Sequence, residues 1–117
     1  MRSSWLFAAL VLCAALAALH LWALDAYLYW QYPWFDVLIH FLGGLAIGAF
    51  VVGLLVHFRP RLYIAILAAT YIGWELFEVV AGVPREANFI FDTTLDLLMD
   101  TLGGIAAYVA ARFTLWR

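Results

Sequence analysis

Four apolar stretches, at about 4–26, 35–58, 62–82 and 90–113, constrain this chain more than any other feature of it. Each has roughly the 20 residues with which an α-helix crosses a ~30 Å hydrocarbon core. The prolines and most of the arginines fall outside these stretches, where chain reversals belong. The expected fold is all-α: an integral membrane four-helix bundle, forming a single transmembrane domain over residues 1–117.

Composition narrows the function classes. Only 12% of the 117 residues are charged, against roughly 25% in soluble domains, and the mean hydropathy is +1.00. There is no lysine and the net charge is −2, so neither a nucleic-acid partner nor a basic patch for anionic lipid is expected. Cys13 stands alone, which excludes an intrachain disulfide and a paired-cysteine metal site. The first stretch follows Arg2 as a secretory signal would, but its apolar run over 5–24 exceeds the usual ~7–15-residue signal core, so a retained helix is expected. Bulky Leu12 before Cys13 argues against a lipidated cysteine.

Arginine marks the ends and the middle connection through Arg2, Arg59, Arg61, Arg112 and Arg117, while the other two connections carry only Arg85. By the positive-inside rule both termini are expected in the cytoplasm. The outer connection over 27–35 holds Tyr27, Tyr29, Trp30, Tyr32 and Trp34, an aromatic belt expected to lie along the outer membrane surface.

The second and fourth stretches echo each other at a shift of 60 residues: Asp36-Val-Leu-Ile-His40-Phe-Leu-Gly-Gly-Leu-Ala46 against Asp96-Leu-Leu-Met-Asp100-Thr-Leu-Gly-Gly-Ile-Ala106. Both run from outside to inside, so two parallel helix-hairpin repeats about an axis along the membrane normal are expected. The first and third stretches show no comparable match, which leaves divergent duplication and convergent packing both open. Small residues four apart, Gly44 and Gly48 in one and Gly103, Ala107 and Ala111 in the other, allow close backbone approach, so these two helices are expected to touch.

Chemistry must reside in Asp36 and His40, Glu75 and Glu78, and Asp92, Asp96 and Asp100. Spacings of three and four place each set on one helical face. At 1.5 Å per residue the three helices deliver these groups to a common level in the outer leaflet. An acid at the centre of a membrane helix costs about 2.5–3.5 kcal/mol, so four to six of them left unpaired would cost roughly 10–20 kcal/mol. Arg85 alone cannot balance that. A divalent cation can, since structural metal sites return on the order of 10–16 kcal/mol, and carboxylates with one imidazole suit Zn, Mn or Fe, as one ion or two. The expected metal ligands are His40, Glu75, Glu78, Asp96 and Asp100, with Asp36 a further ligand or a supporting partner and Asp92 nearer the rim. The competing explanation keeps several carboxylates protonated and bonded to one another. A proton relay is disfavoured because no acid continues into the inner half of these helices, and His57 is too near the inner interface to serve alone. His20 is as compatible with packing as with the site, and Asp25 is expected to be solvated.

In Asp36-x-x-x-His40-x-x-Gly43-Gly44, in Trp74 followed by Glu75-x-x-Glu78, and in Asp92-x-x-x-Asp96-x-x-x-Asp100-x-x-Gly103, the chain resembles a family of small bacterial membrane proteins, the YjdF-like group, and more distantly the VanZ-like proteins associated with glycopeptide resistance. These motifs extend over about two thirds of the chain. The resemblance implies a multi-helix protein of the bacterial inner membrane with this polar set, and implies no reaction. The VanZ-like pattern is departed from where its usual glutamine and arginine have only Glu78 here.

Two functions fit. One is a metal-dependent hydrolase or transferase acting on a lipid-linked substrate, in which a bound water needs an open coordination position and a carboxylate base. The other is a non-enzymatic metal-binding or structural subunit of a larger membrane complex, favoured by the small extramembrane mass. A channel or transporter would require a homo-oligomer, because four helices around a filled core leave little room for a pore. No serine triad, phosphate-binding glycine loop or arginine cluster is present.

Overall fold

Three of the helix boundaries fall at a proline, a glycine and an asparagine. The computed structural model describes residues 2–55, 57, 59–82 and 87–116, and among them five helices form: α1 (Ser3–Asp25), α2 (Leu28–Gln31), α3 (Trp34–Leu54), α4 (Pro60–Ala81) and α5 (Phe89–Thr114). Pro60 opens α4 at the first turn, where its missing N–H costs nothing. Gly82 closes α4 in the left-handed region at φ 67°, its N–H reaching back to the Val79 carbonyl. The Asn88 side chain caps α5 by accepting from the Phe91 N–H at 3.3 Å, and Asp92 sits in that first turn, where the helix dipole favours an anion.

The four long helices have the length and hydropathy to cross a membrane, and the molecule extends 44 Å along its longest axis, close to the ~40–45 Å of a bilayer with its headgroups. The chain is thus a multi-pass membrane protein. Its observed boundaries lie within about four residues of those expected. The largest difference is α3, which stops at Leu54 rather than near residue 58; Val56 and Phe58 fall outside the described residues, as do Arg85 and Arg117. The aromatic connection is not a plain loop. Tyr27 adopts φ 56°, rare for a residue with a Cβ, and the chain then makes the single turn of α2.

Packing follows residue size. The buried set is largely small, with Ala9, Ala23, Ala46, Ala49, Ala107 and Ala111 in it, whereas Phe7, Leu10, Trp22, Phe77, Val80 and Phe113 point outward. Lipid gives large apolar side chains no reason to leave the surface, and helices associate where small residues let backbones approach. The centre is α3. It lies parallel to α5 and antiparallel to α1 and α4, and its tightest contact is with α5. A Cβ built on Gly44 would fall 2.7 Å from the Asp100 carbonyl carbon, and one built on Gly103 would fall 2.6 Å from the Leu45 nitrogen.

The expected close contact is therefore present, and it is tightest at Gly44 and Gly103. Gly43 lies between Leu16 of α1 and Asp100 of α5, and Gly104 lies against Gly48 of α3 as well as Leu67 and Tyr71 of α4. Helix α4 meets the others through a stripe four residues apart: Tyr63, Leu67, Tyr71 and Glu75. Two of its hydroxyls donate to helix carbonyls, Tyr63 to Gly104 at 2.7 Å and Tyr71 to Gly44 at 3.3 Å. Helices α1 and α4 do not occupy equivalent places, since α1 lies along α3 and touches α2, while α4 touches α3 and α5 lightly.

Candidate metal centre

The glycine contact fixes the register of α3 against α5, and that register brings the acidic faces of the two helices together. Asp36 and His40 lie one turn apart on α3, as do Asp96 and Asp100 on α5. The His40 imidazole lies between them. Its Nε2 is 3.5 Å from Asp96 Oδ1 and 3.9 Å from Asp36 Oδ1, while its Nδ1 is 3.4 Å from Asp100 Oδ1. The His40 side chain is 12% exposed, those of Asp96 and Asp100 are 8%, and that of Asp36 is 37%. The cluster is thus closed on the bundle side and open at Asp36, toward the end that bears α2.

Asp36, His40 and Asp96 each offer one ligand atom, all within 4.8 Å of one another, and this trio could hold a metal ion. Distances of 3.5 and 3.9 Å exceed those of ordinary hydrogen bonds, near 2.7–3.2 Å. They approach the ~3.4 Å separating two ligands bound ~2.1 Å from one tetrahedral ion.

The expected ligands are distributed unevenly. His40 and Asp96 take the expected places, and Asp36 stands with them on Nε2. Asp100 faces the opposite ring nitrogen. Glu75 is buried on α4, and Asp92 sits in the first turn of α5. Glu78 lies outside the trio and accepts a hydrogen bond from Trp74 Nε1 at 3.0 Å, one turn back on its own helix. Arg85, expected as the nearest cation, lies outside the described residues.

Tyr29 was legible in the sequence as part of the aromatic belt but not as a neighbour of the acids. Its hydroxyl lies 2.7 Å from His20 Nδ1 and its ring meets Phe35 edge-on, with 5.5 Å between centroids. Burial, and secondly the charge of Asp36, push the Tyr29 phenol up to about 12. His20 thus belongs to the contact between α1 and α2. Asp25 and His57 are exposed.

A comparison with family models, with curated proteins and with solved structures finds no match to this chain.

Proposed function

We propose that this protein binds one divalent cation between α3 and α5 and uses it to hydrolyse or transfer a group of a lipid-linked substrate. Asp36, His40 and Asp96 are the ligands. The observation that carries this is the spacing of the two carboxylate oxygens from His40 Nε2, too wide for direct hydrogen bonds and suited to a shared ion. Asp100 then has a different task from the ligand role expected of it. Lying 3.4 Å from Nδ1, on the ring nitrogen away from the trio, it is placed to favour a proton on Nδ1 and so leave the Nε2 lone pair free to bind, as carboxylates behind metal-bound histidines do.

Three protein ligands leave a coordination position for water or substrate, which is the pattern of catalytic rather than structural centres. A cation here would lower the pKa of a water and polarise a carbonyl or phosphoryl oxygen. The partly open Asp36 supports access from the membrane surface, and Glu75, buried on α4, is the candidate base. A second ion gains little support, because Glu78 is engaged with Trp74. The arginine distribution supports an extracytoplasmic position for this end, and the YjdF-like affiliation and the origin of α3 and α5 as repeats belong to the same reading.

The test is metal analysis of protein purified gently in detergent without chelator. About one equivalent of a single metal is expected, lost in His40→Ala and Asp96→Asn, with Asp100→Asn weakening binding roughly 10–100-fold. Less than about a tenth of an equivalent, with unchanged stability in His40→Ala, would return the cluster to protonated carboxyls bonded to one another. Full metal occupancy without turnover of any lipid ester or phosphate would favour the non-enzymatic subunit.

A further inference from the structure

Helix length fixes the level at which the His40 cluster meets the bilayer. About 20 residues of α-helix rise the ~30 Å of the hydrocarbon core. Counted from the end that carries Arg2, Arg61 and Arg112, that length runs from Arg2 to Trp22 along α1, from Leu54 to Trp34 along α3, from Arg61 to Ala81 along α4 and from Arg112 to Asp92 along α5. The four counts end alike, on two exposed tryptophans, on the last residue of α4 and on an acid in the first turn of α5. Tryptophan is enriched at the boundary between hydrocarbon and headgroups. Contacts between the helices bear out the common level. The Arg2 N–H donates to the Gly53 carbonyl at 2.9 Å, and Gly44, about 15 Å along α3 from Trp34, meets Asp100, about 12 Å along α5 from Asp92. Exposed Tyr27, Trp30 and Tyr32 then lie beyond the boundary, in the headgroup layer.

Measured from that boundary, Asp36 lies about 3 Å below it, Asp96 about 6 Å and His40 about 9 Å. Only Asp36, the member nearest the boundary, is more than an eighth exposed, so the cluster opens upward at that level. The headgroup layer outside the boundary is about 5–7 Å thick on each side. In a glycerolipid the acyl ester carbonyls stand at the boundary itself, and the phosphate and headgroup stand outside it. We infer that the group presented to the cluster is an acyl ester of a glycerolipid in the same leaflet, rather than its phosphate. This rests on the reading of Asp36, His40 and Asp96 as a catalytic cation centre and narrows its substrate to a carboxylic ester. In the hydrolysis a water oxygen bonds to the acyl carbon and the bond from that carbon to the glycerol oxygen breaks. One water proton passes to that oxygen, and a fatty acid and a lysolipid leave.

Two measurements on the full protein in nanodiscs of phosphatidylethanolamine and phosphatidylglycerol test this. For the level, nitroxides are placed at Leu38→Cys, Leu98→Cys and Leu102→Cys, three exposed positions, in a Cys13→Ala background, and their accessibility to oxygen is compared with that to a water-soluble nickel chelate. They lie about 6, 9 and 15 Å below the boundary by count, so the oxygen-to-chelate ratio should rise in that order. Leu38 as deep as Leu102 would overturn the level, and the ester with it. For the chemistry, metal-loaded protein should release fatty acid and lysolipid from the diacyl lipids about tenfold or more faster than His40→Ala does, and nothing from dialkyl ether lipids with the same headgroups. Diacylglycerol or free headgroup released from either kind of lipid, or no product from either, would overturn the ester assignment. The two readings fail separately: missing metal with the depth order intact removes the centre, whereas bound metal with the wrong product removes the ester alone.

Discussion

Replacing Gly44 by alanine adds one methyl group where α3 and α5 touch backbone to backbone. The new Cβ would stand 2.7 Å from the Asp100 carbonyl carbon and 2.8 Å from its Cα, whereas ordinary contact begins at 3.4 Å. The obstacle is helix backbone, which cannot swing aside, so the helices must part by about 0.7 Å or more. Overpacking of this kind costs about 1–3 kcal/mol. At roughly 4–8 °C per kcal/mol for a chain near 100 residues, the melting temperature in detergent should fall by about 5–20 °C. The displaced residue is Asp100 itself, already 3.4 Å from His40 Nδ1, so the orienting contact should go with it and metal affinity should drop about tenfold. Gly73→Ala is the control, because nothing lies within 4 Å of its Cβ position, and there helix propensity alone predicts a change between zero and about 1 kcal/mol of added stability. A Gly44→Ala protein that melts within about 2 °C of wild type, or no lower than Gly73→Ala, would refute the close α3–α5 contact.

Tyr63→Phe and Tyr71→Phe each remove a hydroxyl that donates to a helix carbonyl, and the 2.7 Å bond of Tyr63 should be worth more than the 3.3 Å bond of Tyr71, about 1 kcal/mol against a fraction of that in chemical-denaturation measurements. An equal or reversed order would count against the geometry of α4. Tyr29, followed as the ultraviolet titration difference between wild type and Tyr29→Phe, should ionise near pH 12, and Asp36→Asn should bring it part of the way back toward 10. Between pH 10 and 12 the unfolded chain has released a proton that folded Tyr29 keeps, so stability should fall as pH rises through that window and hold its full Tyr29 contribution below it. Titration of Tyr29 at its ordinary value would show that burial and Asp36 do not act on it.

The polar residues were legible because acids and histidine are scarce in this chain and each pair is spaced by three or four, which places its members on one helical face whatever the neighbours do. The face of α4 was not legible. In a soluble bundle the apolar stripe reports which side of a helix turns inward, but lipid is as apolar as a core, so α4 carries large apolar residues all round. Its buried side proved to be the line through Tyr63, Leu67, Tyr71 and Glu75, and Glu78, three residues on, turns away toward Trp74. Depth along the membrane, reckoned at 1.5 Å per residue, says nothing of that rotation.

The sequence alone determined four membrane-length helices, the glycine faces of the second and fourth, and the acid and histidine stripes beside those glycines. These follow from rules local to one helix: length against bilayer thickness, and the 3.6-residue period. Only the tertiary structure decided that Asp36 and Asp96 share one nitrogen of His40 while Asp100 takes the other, that Tyr29 reaches the Asp36 end, and that α4 turns Tyr63, Leu67, Tyr71 and Glu75 inward. Each of these depends on the rotation and register of one helix against another. That is set where Gly44 meets Asp100 and Gly103 meets Leu45, a contact between backbones about 60 residues apart that no local pattern can register.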